Sequence, residues 1–333
     1  MRELRQRGWQ VRDLALPAGF PRPDERALVQ SDAMLAAVPD GCIVVIDQLC
    51  LGVMPDVAKR HARRLQLVMI VHHPLARETG ISDEDRQALV RSEREALAHV
   101  ALAVVTSPTT ARDLLENFGI GEDRIVVAVP GVDERPIVMG SGGDPLLLSV
   151  GAVVPRKDHA TLIAALAGLV HLPWRLKIVG NLTRAPDHVG FVQSLITRHG
   201  LSERVALSGE LDDAALEQVW IETDLYVAAS RHEGFGMALS EAIARGVPVV
   251  ATAAGAVSDW LSEPAAILVE TGNIQALKAG LSIALSEPEA RVKLRHGALG
   301  ARRHLQRWHE TAANVEAALA GLASNSSRPV KGW

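Results

Sequence analysis

The chain has 333 residues, more than one ordinary core accommodates and enough for two domains of about 150 residues each. Hydrophobic residues make up 48% of it but aromatics only 3%, so a sizeable core has to be built from Ala, Val, Leu and Ile. A formal net charge of -4 argues against a dedicated nucleic-acid binder, and two cysteines with no CxxC pair exclude a disulfide framework. The sequence shows neither a signal-peptide pattern after Met1 nor the eighteen or so uncharged apolar residues needed to cross a bilayer, and it reads as cytoplasmic.

Short apolar runs alternate with longer periodic segments along the whole length. Strands are expected at 11–16, 42–46, 67–71, 102–106 and 125–129, and a second series at 146–150, 176–179, 205–207, 225–228, 247–251 and 266–269. Most are uniformly apolar, the pattern of strands covered on both faces. Helical periodicity lies between them, for example at 83–99, 109–117, 159–169 and 237–245. Such alternation predicts parallel sheets flanked by helices, and two series predict two doubly wound α/β domains.

The expected organisation is an N-terminal domain at 1–138, a linker at 139–145 (MGSGGDP), a C-terminal domain at 146–305, a helix at 306–323 and a polar tail at 324–333. Gly140, Gly142 and Gly143 precede a strand, whereas a phosphate loop follows a strand and opens a helix, so the linker reading is preferred. The start, LRQRGWQV at 4–11, reads as the end of a helix, a Gly cap and a strand. The strand and Gly-bearing turn that usually open a doubly wound domain are missing there. Either Met1 is internal to a longer chain, or the N-terminal domain lacks its first strand.

The most informative stretch is 229–246, ASRHEGFGMALSEAIARG. A strand runs into a loop with Glu233, then Gly234-Phe235-Gly236, and a helix begins near Met237. Glycines at the turn let backbone approach a ligand closely, and a helix start offers unpaired N–H groups and the positive dipole end. That is an anion site suited to phosphate. Glu241 lies roughly 7 Å further along the helix axis, where a carboxylate can accept hydrogen bonds from a ribose diol. Glu233, on the other side of the tip, then faces the group beyond the phosphates. Two glutamates near a helix start can also be a dipole-compensating pair on a solvated face, but the flanking glycines and strands favour a ligand.

This pattern, E-G-F-G-x-x-x-x-E followed by A-x-A-x-G-x-P-V-V, resembles the signature of the retaining family-4 glycosyltransferases of the GT-B fold. Glu233 and Glu241 match the two glutamates of that family's E-x7-E motif. LLLSVGAVVPRK at 146–157, KIVGN at 177–181, VALSGEL at 205–211 and ETDLYVAAS at 222–230 agree in order and spacing, while LAVVTS at 102–107 and RIVVAVPGVD at 124–133 are weaker matches. The resemblance implies two Rossmann-like domains facing across a cleft, with the last helix returning to the first domain and Trp308 anchoring it. It further implies a retaining, metal-independent transfer from a nucleoside-diphosphate sugar, needing no other cofactor.

Under that resemblance the diphosphate is held by Gly151, Arg156, Lys157 and the segment Gly234, Phe235, Gly236, Met237 and Ala238, with Glu241 on the ribose and Glu233 on sugar hydroxyls. Lys157 matches the family's lysine, but Ala152 stands where the family places an arginine, and Arg156 is the candidate substitute. In VMIVHHP at 68–74, His72 best matches the family's histidine that faces the donor sugar, with His73 as the fallback. The acidic turn Asp83-Glu84-Asp85 reads as ordinary helix-start chemistry after Ser82 and not as a metal motif. Arg291, Lys293, Arg295, Arg302, Arg303 and Arg307 read first as a solvated face, and second as a weak contact with an anionic membrane surface. The alternatives to a transferase are a catalytically silent or truncated sugar-nucleotide-binding homologue, or a GT-B nucleotide-sugar epimerase or hydrolase. The donor's base and sugar, the acceptor and the oligomeric state are left open.

Overall fold

A computed structural model of the chain describes residues 2–325, so most of the expected tail at 324–333 lies outside the described residues. The chain divides into two compact units, one formed by Met1–Gly131 with Gln306–Trp333 and the other by Val132–Leu305.

The first unit is built on a parallel sheet of β1 (Ile43–Asp47), β2 (Gln66–Val71), β3 (Leu102–Val105) and β4 (Ile125–Val127), in the order β1-β2-β3-β4. Its strands are apolar on both faces because both faces are covered. Leu67, Met69 and Val71 of β2 pack with Leu51, Met54, Leu97 and Phe118 on one side. Val68, Leu102 and Val104 pack with Leu4 and Leu319 on the other. Burying each such aliphatic side chain is worth about 2 kcal/mol. Leu319 belongs to the last helix, Trp308–Asn325, which is tied down by Glu316 accepting from Arg7 (2.8 Å) and from the Trp9 indole (3.1 Å). Gly131 lies so close to the Trp308 backbone that a Cβ there would collide with it.

The expected strand at 11–16 does not form. Arg12 and Asp13 break its apolar pattern, and Pro17, Pro21 and Pro23 follow closely. The Arg5 guanidinium also takes the Val11 carbonyl (3.2 Å) and the Asp13 carboxylate (2.6 Å), which holds the segment as a strap. Ser82 accepts the Asp85 N–H (3.0 Å) and so caps the helix Asp83–Ala98.

The second unit holds β5 (Leu146–Val150), β6 (Arg175–Val179), β7 (Val205–Leu207), β8 (Leu225–Ala228), β9 (Val249–Thr252) and β10 (Ala266–Val269). All pair in parallel, in the order β10-β9-β8-β5-β6-β7. The core alternates cleanly: Leu147, Val227 and Val250 face one helical layer, and Leu148, Tyr226, Val249 and Ala251 face the other. The Gly-rich segment at 139–145 belongs to this unit. Asp224, just before β8, accepts the Ser141 hydroxyl (2.7 Å) and the Leu146 N–H (2.8 Å), and the Val138 N–H donates to Arg245 (3.1 Å). The division of the chain therefore falls at Gly131, ahead of the segment whose composition suggested a connector.

Candidate active site

In the second unit the strand order reverses between β5 and β8, and crevices at the carboxyl ends of such strands are where open α/β sheets bind ligands. At the end of β5, Gly151 has φ +150, and a Cβ there would sit 2.9 Å from Lys157 Cε. Gly180, at the end of β6, packs directly on the Gly151 backbone and leaves no room for a side chain. From Gly151 the chain runs to a 3₁₀ turn at Pro155–Lys157 and then to Asp158, whose left-handed φ of 45 costs a non-glycine residue on the order of 1 kcal/mol. Asp158 offsets part of that cost by capping the helix His159–Ala167 and pairing with Arg231 (2.9 Å).

This turn and the loop after β8 meet at Glu233. Its Oε1 accepts from Lys157 Nζ (2.6 Å) and from the Ser230 hydroxyl (2.6 Å), and its Oε2 lies 3.6 Å from Arg156. Arg156 also donates to the His232 carbonyl (2.8 Å). Burial alone pushes the Glu233 carboxyl up, but the charges of Lys157 and Arg156, with the hydrogen bonds from Lys157 and Ser230, outweigh it and hold the group below the usual carboxylate range. The neighbouring His159 is pushed down to about 3 by burial, Lys157 and His188, so it stays neutral beside the cations.

Three residues on, the helix Met237–Ala244 begins at Gly236, which has φ +91 and no side chain to cap the helix. Asp24, Ser82, Asp158, Asp212 and Asn273 each accept a first-turn N–H of their own helix, and the helices starting at Pro55, Pro186 and Pro288 also lack a side-chain cap but open on a proline, which has no N–H to offer there. An uncapped start keeps its dipole end and backbone donors for an anion. Met237 is exposed at this tip, while Gly234 and Phe235 are buried under it. Phe235 stacks on Trp260 (5.2 Å between ring centroids) and accepts its indole N–H (2.9 Å). Ala238 and Glu241 follow on the helix. Glu241 is partly exposed, 4.0 Å from Arg245, and burial raises its carboxyl despite the opposing charges of Arg245 and Arg135.

The structure thus brings Gly151, Arg156 and Lys157 together with Glu233, three residues before the uncapped helix start, with Glu241 further along that helix. His72 lies in the other unit, at the carboxyl end of β2. Its ring is half exposed and pairs with Asp47 (3.0 Å), whereas His73 is more buried and pairs with Glu78 (3.0 Å). Burial pushes the Asp47 carboxyl up, but its hydrogen bond and charge interaction with His72, together with the Leu49 N–H, bring it below the usual range.

Sequence reasoning missed the supports of Glu233. Thr252 donates to the Ser230 carbonyl (2.6 Å), and the Ala256 N–H donates to the Glu233 carbonyl (2.9 Å). Gly255 packs so tightly on the Glu233 backbone that no side chain would fit. Ser230 carried a signal, its position three residues before Glu233 at a strand end. Thr252, Gly255 and Trp260 are remote in sequence and carried none.

The Glycosyl transferases group 1 family model matches residues 134–299, and the Glycosyltransferase Family 4 model matches residues 48–135. The chain is 28% identical over 319 residues to the MMP alpha-(1->4)-mannosyltransferase of Mycolicibacterium hassiacum, covering 90% of this chain and 75% of that protein. It is 29% identical over 247 residues to the D-inositol 3-phosphate glycosyltransferase of Xylanimonas cellulosilytica, covering 68% of this chain but only 58% of that relative. Among solved structures, sucrose-phosphate synthase from Thermosynechococcus elongatus superposes with a TM-score of 0.77 at 20% identity, covering 93% of this chain and 83% of that one. Anabaena HepE in complex with UDP-glucose gives 0.73 at 21% identity, covering 88% and 82%. On these matches, and with parallel sheets in both units, the chain belongs to family 4 of the glycosyltransferases and has the GT-B fold.

Proposed function

We propose that this glycosyltransferase takes its sugar from a nucleoside-diphosphate sugar, retains the anomeric configuration and needs no metal ion. One observation carries the reading: an uncapped helix start beside a buried carboxylate that is held ionised by Lys157 and Arg156. The diphosphate sits at the backbone of Gly236, Met237 and Ala238, where the helix dipole and the two cations stabilise the charge that grows as the sugar–phosphate bond breaks. Protein cations in that role make a metal dispensable. Glu241 accepts hydrogen bonds from the ribose diol, and its partial exposure leaves it reachable. Glu233 accepts from sugar hydroxyls. A carboxylate held below the usual range is a poor proton donor, so its part is orientation and stabilisation of an oxocarbenium-like transition state, not acid catalysis. His72 is the first unit's candidate for the donor sugar. The donor class is also supported by the UDP-glucose bound to HepE.

A second reading, a sugar-nucleotide binder without turnover, is favoured by Ala152 at the family's arginine position. One experiment separates the two. The protein is screened by thermal shift against UDP, GDP, ADP and their sugars, and the stabilising donor is then incubated with glycan, lipid-linked and polyol acceptors, with and without chelator. A rise of a few degrees with one nucleotide, and transfer that survives chelation, is the expected outcome. Binding with no transfer to any acceptor supports the silent reading, and no stabilisation by any nucleotide overturns both.

A further inference from the structure

Two buried polar side chains in the first unit are not used by the donor-site chemistry. Gln48, at the end of β1, is 2% exposed, and Glu93, on the helix Asp83–Ala98, is 3% exposed. Both converge on the turn that follows β2. The Gln48 Oε1 accepts the His72 N–H (2.9 Å), and its Nε2 donates to the His73 carbonyl and to Glu93 Oε1 (3.3 Å). Glu93 in turn accepts the N–H groups of Leu75 (2.8 Å) and Ala76 (3.2 Å). From a third direction, the Thr106 hydroxyl at the end of β3 donates to the His72 carbonyl (2.9 Å). Gly52 leaves the space that Glu93 occupies, since a Cβ there would lie 3.2 Å from Glu93 Cγ.

Burying a carboxylate and an amide where aliphatic side chains would pack costs stability, and such a network is worth keeping where it fixes a geometry. Here the fixed geometry is the backbone of His72 and His73, with the His72 ring steered by Asp47. We propose that Gln48 and Glu93 are positioning residues for His72, clamping the turn from 72 to 76 so that the imidazole is presented in one orientation at the end of β2. This rests on the reading that His72 serves sugar transfer, although the clamp itself can be observed independently.

The test uses the full chain labelled with ¹⁵N-histidine, as wild type, Gln48→Met, Glu93→Gln and His72→Ala. Turnover is measured with UDP-glucose and GDP-mannose as probes, alongside affinity for UDP and GDP. In Gln48→Met the His72 amide signal should shift or broaden, and turnover should fall about tenfold while nucleoside-diphosphate affinity stays within twofold. Glu93→Gln, which has nearly the same shape and keeps one acceptor oxygen, should lose less. An unchanged His72 amide signal in folded Gln48→Met overturns the proposal, as does unchanged turnover. If Gln48→Met fails to fold, an unaltered amide signal in Glu93→Gln overturns it equally. A wild type inactive on both probes bears on the identity of the donor and not on the clamp, whose existence the amide comparison decides.

Discussion

Glu93 shows how one buried side chain ties stability to pH. Burial pushes its carboxyl from 4.5 up to about 7, against the N–H groups of Leu75 and Ala76 and the Gln48 amide, which act to lower it. The folded state therefore holds the proton more tightly than the unfolded chain. The resulting stability is fully present below about pH 4.5 and is lost as the pH rises through 7. A shift of that size corresponds to on the order of 3 kcal/mol. Melting temperature should accordingly fall between pH 5 and pH 8, and Glu93→Gln, which does not titrate, should flatten that slope. A variant with the wild-type slope would show that Glu93 titrates normally. Residues of this kind were illegible in the sequence. Glu93 sits in a charged helix, among Arg91, Arg94 and Glu95, and nothing in that run marks it as the one turned inward. Glu233 stood out in the sequence through its setting between a strand and a Gly-rich helix start, whereas its pairing with Lys157 and Arg156 did not.

At the scale of the element, the helix Met237–Ala244 is defined by what its start lacks. Gly236 adopts a conformation that L side chains rarely do, and a Cβ there would lie 2.9 Å from Leu239 Cδ1. Gly236→Ala and Gly236→Asp should both cost about 1–2 kcal/mol of stability by this route. They should differ in binding. The aspartate places a carboxylate at the position proposed for the phosphate, so nucleoside-diphosphate affinity should fall at least tenfold further than in the alanine variant, as read by calorimetry. Equal affinities would remove the helix tip from the donor site. The sequence marked this helix through E-G-F-G, and its observed bounds fall within one residue of the 237–245 expected from periodicity. The segment at 11–16 was expected as a strand and does not become one, because a charged pair interrupts its apolar residues, prolines follow and the Arg5 side chain takes its backbone carbonyl.

At the scale of the whole molecule, the first unit is completed by residues from both ends of the chain. One face of its sheet, with Val68, Leu102 and Val104, is buried by Leu4 and by Leu319 of the last helix. A chain ended after Leu305 should lose the melting transition of the first unit, or shift it down by more than about 10 °C, while the transition of Val132–Leu305 survives. Differential scanning calorimetry would detect this, and a first-unit transition that persists at its original temperature would mean that the helix contributes little. What the sequence by itself determined is the succession of apolar strands and helices, the E-x7-E segment and the Lys157 turn, because each is written in residues close together and governed by local periodicity and backbone chemistry. Only the tertiary structure decided that Ser230, Lys157 and Arg156 share one carboxylate, that Gln48 and Glu93 clamp the His72 turn, and that the Gly-rich segment belongs to the second unit through Asp224. Except for Ser230, three residues from Glu233, those pairings join residues from 18 to 83 positions apart, and their energies come from burial and geometry that exist only once the sheets have formed.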